Sequence, residues 1–351
     1  MADWFMLPKD LLLLIIEKLN SEFYRIRFRS VCSTWRFFIP KPHNLFPFKL
    51  PHFPDFSDSD IEKLEKHSIF LIKPPATPNQ QILRPWLVRI SPTSTGKFNL
   101  WHPLLRHSLN IPSDLRMLDF SQLSVFNMGQ IYNLSTPVAT FQGDKFEDSV
   151  ATFQGGEILD IITQDYSGEL VMLRRGDDSW TKIPHEAYFY NDIFIFNGRP
   201  CVGDKTGWTV MIGSDLSIHL VAEPVHGGFL YGDVKIMVEN ESELLLVHRS
   251  KDFSDGDKPV WIDVYRLDQK EKKWLWLSNL GDTVVFFGRC GSFAASALDL
   301  GFDNGNFVIY SNNNDMSIFH LDQRKNSLLS DYQDYFKLFW PPPEWIISRG
   351  F

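Results

Sequence analysis

Apolar residues along this chain follow one period up to about residue 38 and another from about residue 68 onward. In the first stretch Leu11, Ile15 and Leu19 repeat at i, i+4 and i+8, the spacing of one helix face. Leu12, Leu13, Leu14 and Ile16 extend the apolar surface almost all round it. Pro8 suits the first helical position, and Asp10 the first turn, where the helix dipole favours an acid. Asn20-Ser21 interrupts the pattern, with Ser21 a candidate N-cap for a second helix carrying Phe23, Ile26, Phe28 and Val31. A third short helix holds Trp35 and Phe38. The spacing predicts a small three-helix unit over residues 1–45.

Pro40, Pro42, Pro47, Pro51 and Pro54, followed by "DFSDSDIE", stop any helix. Residues 46–67 read as a linker or as an extended segment lying across the next domain. From Ser68 the chain becomes short strands such as "SIFLIK", "WLVRI", "ELVMLRR", "ELLLVHRS" and "NFVIYS", separated by turns such as "DYSGE", "GDKTG" and "SNNND". No amphipathic helix of useful length interrupts them, which excludes alternating βα architecture. So many strands need an all-β solution that avoids long open edges: a sandwich, a barrel or a propeller. Loose self-similarity favours the propeller. "ILDIITQDYSGELVMLRRGDDSWTKI" and "LLLVHRSKDFSDGDKPVWIDVYRLDQKEKKWLWL" share the order strand, turn, strand, turn, Trp and alternating apolar residues (Trp180/Ile183 and Trp274/Trp276). Units of roughly 30–45 residues predict six or seven blades over 68–351. The expected architecture is α+β multidomain, a helical unit followed by a large all-β domain, with the C-terminal "YFKLFWPPPEWIISRGF" closing the ring as a last strand. "VATFQG" at 138–143 and 150–155 reads as a tandem duplication widening one loop.

Charge divides the chain further. Residues 1–50 hold eight Lys/Arg and four acids, a net of +4, so a total of −8 leaves −12 on the remaining residues. An acidic body repels phosphate backbones, which argues against nucleic-acid binding. The three cysteines, Cys32, Cys201 and Cys290, are far apart and lack metal-ligand spacing, so neither a disulfide framework nor a metal site is expected, and a reducing cytoplasmic or nuclear setting fits. The apolar run Leu11–Ile16 is too short for a membrane span and lacks the flanks of a signal peptide.

Candidate chemistry is sparse, and no cofactor is implied. There is no G-x-S-x-G elbow and no H-E-x-x-H. "PTSTGK" at 92–97 lacks the upstream glycine of a phosphate loop and reads as a hairpin turn. "DFSDGD" at 252–257 lacks the ligand spacing of a calcium loop. His102 reads as a packing histidine. Tyr188, Phe189, Tyr190, Phe229 and Tyr231 are the loop aromatics that could anchor a partner, though packing is the commoner use of such residues.

The N-terminal residues resemble an F-box. Leu7-Pro8, Asp10-Leu11, Ile15, Leu19, Arg29, Val31-Cys32 and Trp35-Arg36 stand where that motif places its characteristic residues. The rest resembles the plant F-box family whose C-terminal half is a KIB-type β-propeller. The matching stretches are "LWHPLLRHS" (100–108), "YNDIFIFNGRPCVGDKTG" (190–207), "VYRLDQKEKKW" (264–274), "LGDTVVFFGRCGSFAASALDL" (280–300), "NGNFVIYSNN" (304–313) and "WPPPEWI" (340–346). The family often shows "LFLG" where this chain has Phe286-Phe287-Gly288, a substitution a strand tolerates.

The resemblance implies a non-catalytic subunit of an SCF-type cullin ubiquitin ligase. Its F-box would dock on a Skp-type adaptor, and through it a cullin, while the propeller selects the protein to be ubiquitinated. Three short helices with apolar residues on several faces need a partner to complete their core. Leu7, Pro8, Leu11, Ile15, Leu19, Val31, Cys32 and Trp35 are the expected adaptor-facing residues, at roughly 1.5–3 kcal/mol for each large apolar side chain buried. Two other readings stay open: an F-box interaction protein that directs no degradation, and a propeller enzyme, which would require polar residues converging at the channel mouth.

Overall fold

The computed structural model describes residues 7–18, 24, 28, 31–38, 48–51, 63–74, 83–92, 98–109, 123–135, 150–154, 157–165, 167–184, 190–225, 233–250, 260–288, 290–312 and 315–347. Two helices of the N-terminal unit lie within them, α1 (Lys9–Lys18) and α2 (Ser33–Phe38). Most of the expected middle helix, and Leu19, lie outside the described residues; Tyr24 and Phe28 are helical.

The remaining strands form five sheets, each a blade. Blade one contains β1 (Phe48–Lys49), β2 (Lys63–Lys73), β3 (Trp86–Pro92), β4 (Phe98–Trp101) and β5 (Ser124–Ser135). Its innermost strand, β5, comes last in sequence and pairs along the whole of β2, from Lys63↔Ser135 to Lys73↔Ser124. Blade two is the meander β6 (Val150–Gln154), β7 (Glu157–Gln164), β8 (Leu170–Arg174), β9 (Thr181–Lys182). Blade three repeats it with β10 (Tyr190–Phe196), β11 (Arg199–Asp204), β12 (Thr209–Ile212) and β13 (Ile218–Ala222). Blade four does so with β14 (Val234–Asn240), β15 (Glu243–Ser250), β16 (Trp261–Asp268) and β17 (Lys273–Leu277). Blade five runs β19 (Gly291–Ser296), β18 (Thr283–Gly288), β20 (Phe307–Asn312), β21 (Asp315–His320), β22 (Lys325–Leu328). Its β18–β20 pair is parallel, joined through the short helix α3 (Ala297–Leu300). The inner strands touch in a closed cycle, β5 to β6, β10, β14, β19 and back to β5.

The ring therefore has five blades, and the expectation of six or seven is corrected. The count overshot because blades one and five depart from the four-strand meander: blade one alone occupies residues 63–135. Residues 48–49 and 63–67, within the stretch read as a linker, are strand in blade one. The second VATFQG copy builds β6, the inner strand of blade two, while the first lies outside the described residues.

The repeated sequence features do repeat in space. Asp165, Ser167, Gly168 and Glu169 in blade two repeat the hairpin turn of Asp204, Thr206, Gly207 and Trp208 in blade three. In each, one Asp Oδ1 accepts two backbone N–H bonds and a hydroxyl, 2.9, 2.9 and 2.6 Å in the first and 2.7, 3.0 and 2.6 Å in the second. The glycines sit at φ +85° and +89°, where a side chain would be strained. Trp180 donates its indole N–H to Pro51 O (2.9 Å) and Trp274 to Gly207 O (2.8 Å), each tying its blade to the one before.

The C-terminal stretch does not close the ring as a strand, contrary to expectation. After β22 it forms a 3-10 turn (Leu329–Asp331) and the short helices α4 (Gln333–Phe336) and α5 (Glu344–Ile347), which fill the seam between blades five and one. Leu87 N–H donates to Leu338 O (2.9 Å), Trp86 Nε1 to Phe339 O (3.1 Å), and Trp345 Nε1 to Arg84 O (2.8 Å). Phe339, fully buried, stacks on His102 at 5.1 Å and meets Phe286 edge-on at 6.3 Å. The proline run 341–343 cannot supply a strand's N–H groups, so closure passes to side chains. Gly288 makes the seam tight: a Cβ there would lie 2.5 Å from Leu104 O.

Candidate functional site: the helical face and the central channel

In the N-terminal unit α1 starts with Pro8 O accepting Leu12 N–H at 3.1 Å. α2 starts at Cys32, whose carbonyl accepts Arg36 N–H (3.0 Å) and whose Sγ accepts Trp35 N–H (3.4 Å). Cys32 thus caps a helix with its sulfur, a role not evident in the sequence, where it is expected only as an adaptor-facing residue. Between α1 and α2 lies a two-residue core, Leu12 (0% exposed) and Trp35 (6%). Leu7, Ile16, Phe28, Cys32 and Phe38 pack around it, with the Phe28 and Trp35 rings 4.4 Å apart.

The remaining apolar side chains point away from that core. Leu11, Leu14, Ile15 and Val31 are exposed, and Phe37 is 84% exposed. The structure thus sorts the eight expected adaptor-facing residues. Leu11, Ile15 and Val31 are exposed apolar groups, Pro8 is exposed at the helix start, and Leu7 and Cys32 are half-buried. Trp35 is interior to the unit itself, and Leu19 lies outside the described residues. Leu14 and Phe37, not singled out beforehand, join the exposed face. Their signal was present in the all-round apolarity of α1, but spacing alone could not say which residues α2 covers.

The second site is the channel enclosed by the inner strands, about 1060 Å³, which extends towards the β10–β11 and β12–β13 turns of blade three. Met128, Ile131, Phe194, Met237 and Phe293 form apolar wall; Asp160, Asp192, Asp215 and Glu239 bring carboxylates to it, with Arg199 and His219 at its border. Asp192 Oδ2 accepts Met237 N–H across the blade three–blade four junction at 2.6 Å. Glu239 Oε1 accepts Asn197 N–H at 3.1 Å. Burial pushes Asp192 up to about 7 and raises Glu239, against the opposing effect of those backbone donors. Sequence reading missed all of these acids, because they lie on four strands and turns far apart in the chain.

The other candidates are structural. His102 is buried, its Nδ1 accepting Leu104 and Leu105 N–H at 3.1 and 3.2 Å, and burial beside His107 and Arg89 lowers it to about 3. Cys201 is buried and its thiol pushed up to about 12. Of the stretch 92–97 only Pro92, the last residue of β3, is described; residues 93–97 lie outside the described residues. Tyr190 opens β10 half-buried; Tyr188, Phe189, Phe229, Tyr231 and residues 252–257 lie outside the described residues. Among the described residues no helix is long and apolar enough to cross a membrane.

Known proteins match both parts. The F-box domain model matches residues 4–47, and the KIB1-4 β-propeller model matches residues 56–324. The F-box protein SKIP23 of Arabidopsis thaliana is 32% identical over 100% of this chain and 97% of its own. F-box protein At2g17036 of the same plant is 29% identical over 99% of this chain and 96% of its own. With an F-box sequence on the helical unit and a KIB1-4 sequence on the five-bladed ring, this chain belongs to the F-box proteins that carry a KIB1-4 β-propeller.

Proposed function

We propose that this protein is the substrate-receptor subunit of an SCF-type cullin ubiquitin ligase. Its F-box helices dock on a Skp-type adaptor and its propeller holds a target protein. The observation that carries the reading is that Leu11, Leu14, Ile15, Val31 and Phe37 are exposed on an F-box in which, among the described residues, only Leu12 and Trp35 are buried. Covering that face is worth roughly 1.5–3 kcal/mol per large side chain before association costs of several kcal/mol, enough for a stable complex. Trp35 acts from beneath, holding α2 in place, while Leu7, Pro8 and Cys32 set where the helices begin. Tethering then raises the effective concentration of target lysines near the ubiquitin-charged enzyme, so the subunit needs no chemistry of its own.

The propeller-enzyme reading gains the convergence of acids in the channel. Both Asp192 and Glu239, however, already use one oxygen to accept a backbone N–H, which favours a binding wall over a reactive pair. Co-expression with a Skp-type adaptor and affinity pull-down tests the ligase reading. Wild type is expected to capture the adaptor stoichiometrically, and Leu11→Ala/Ile15→Ala/Val31→Ala to lose it with α-helical signal intact. A wild type that captures none overturns the proposal.

A further inference from the structure

The channel brings two carboxylates to its wall and rim, Asp192 half-buried on β10 and Glu239 exposed at the end of β14. Asp192 and Glu239 each bind one backbone N–H and form no ion pair among the described residues. Lys235, on the same strand as Glu239, is committed to Lys205 O at 2.8 Å. Arg199 rests on Met211 Sδ at 3.7 Å, and His219 lies 3.0 Å from Ser217 Oγ. Asp192 is partly withdrawn from water, where a carboxylate's charge is costly when unpaired and becomes favourable when a cation arrives. The channel, at about 1060 Å³, lies at the top of the roughly 300–1,000 Å³ range of small-molecule sites and so has room for a peptide side chain with its backbone.

Resting on the reading of the propeller as target receptor, we propose that the channel captures the target through a lysine- or arginine-bearing segment. A cationic side chain enters between the inner strands and pairs with Asp192 and Glu239, while its aliphatic stem lies on Met237 and Phe293. Charge complementarity selects this occupant over an acidic one. Asp160, Asp192 and Glu239 line the channel against Arg199 and His219 at its border, and residues 51–351 carry −12 of the chain's charge, which steers basic segments towards the ring.

The pairing has a pH signature. Asp192 carries its charge only above about 7, so capture strengthens as pH rises from 6 to 8. The titratable groups that share the channel with it are Glu239 on β14, Asp160 on β7 and Arg199 on β11, with Asp215 and His219 at the β12–β13 end. A His219→Gln background removes the imidazole from the comparison.

The test uses the full chain and a fluorescein-labelled octapeptide of alternating Arg and Gly, with its Glu counterpart as control, read by fluorescence anisotropy at 0.15 M salt. Asp192→Asn keeps an oxygen for Met237 N–H and removes only the charge. Expected are binding of the Arg peptide but not the Glu peptide, at least a tenfold loss in Asp192→Asn, and a smaller loss in Glu239→Gln. Less than a twofold change is expected in Asp215→Asn at the fully exposed rim. Affinity in the His219→Gln background should rise from pH 6 to 8, and should stay flat once Asp192→Asn is added. Equal binding by wild type and Asp192→Asn, no binding of the Arg peptide, or equal binding of both peptides overturns the proposal. Adaptor pull-down on the same variants separates the two readings, because Asp192→Asn leaves the F-box face intact.

Discussion

Among the described residues of the F-box five large apolar side chains are exposed and two are buried. In the seam between blades one and five, eighteen residues are buried in one cluster, from Ile69 and Leu71 through Phe286 and Phe293 to Leu338 and Phe339. Both regions are built from the same residue types. They differ in how many elements meet. The two described helices leave much of their apolar surface uncovered by each other, whereas each blade has a neighbour on either side and the ring leaves no blade without one. On the proposed reading, the apolar surface left open by the described F-box helices is what an adaptor covers, and the propeller, closed on itself, offers its rims and channel for recognition.

Three measurements would break or sharpen that contrast. The largest effect is expected in the seam. Phe339→Ala removes a fully buried ring stacked on His102, and should cost about 3–5 kcal/mol by urea unfolding of the propeller. A loss below about 1 kcal/mol would mean that the C-terminal strap decorates the ring and does not lock it. Trp35→Ala comes next, at roughly 3 kcal/mol local to the F-box. It should abolish adaptor capture while the main thermal transition moves by less than about 2 °C. A common shift of both would show that the F-box core is continuous with the ring.

The smallest effect is electrostatic. His102 is neutral in the fold, lowered to about 3 from the ordinary 6.5 by burial. Below about pH 6.5 the unfolded chain takes up a proton that the folded chain refuses. The stability is therefore present above 6.5 and lost as pH falls towards 3. Between pH 7 and 5 the loss should be about 2 kcal/mol, seen as a lower urea midpoint, and His102→Asn should flatten that slope. An unchanged slope in the variant would place the acid sensitivity elsewhere.

Much of the architecture was legible because it is local. Leu11, Ile15 and the helix-start residues marked α1; period-two runs marked the strands; Asp-x-Ser/Thr-Gly turns and the Trp180 and Trp274 repeats marked blades. The F-box resemblance was equally local, resting on residues within about thirty positions. Blade number was not legible, because β5 returns to line β2 only after β3 and β4, and because β18 and β20 pair in parallel across α3. Nothing in the spacing of strands records which of them returns.

By itself, then, the sequence determined the element types, the division into a helical unit and an all-β body, the family and the opposite charge of the two parts. The element types, the division and the charges follow from composition and from periods shorter than one element, and the family from resemblance of local motifs. Only the tertiary structure decided that Trp35 faces inward while Leu11, Ile15, Val31 and Phe37 face out. It also decided that the C-terminus wedges between blades instead of joining one, and that Asp192 and Glu239 share a channel. The reason is common to all three. Each depends on which surfaces of distant segments come together, and burial and ring closure set that only once every blade is in place.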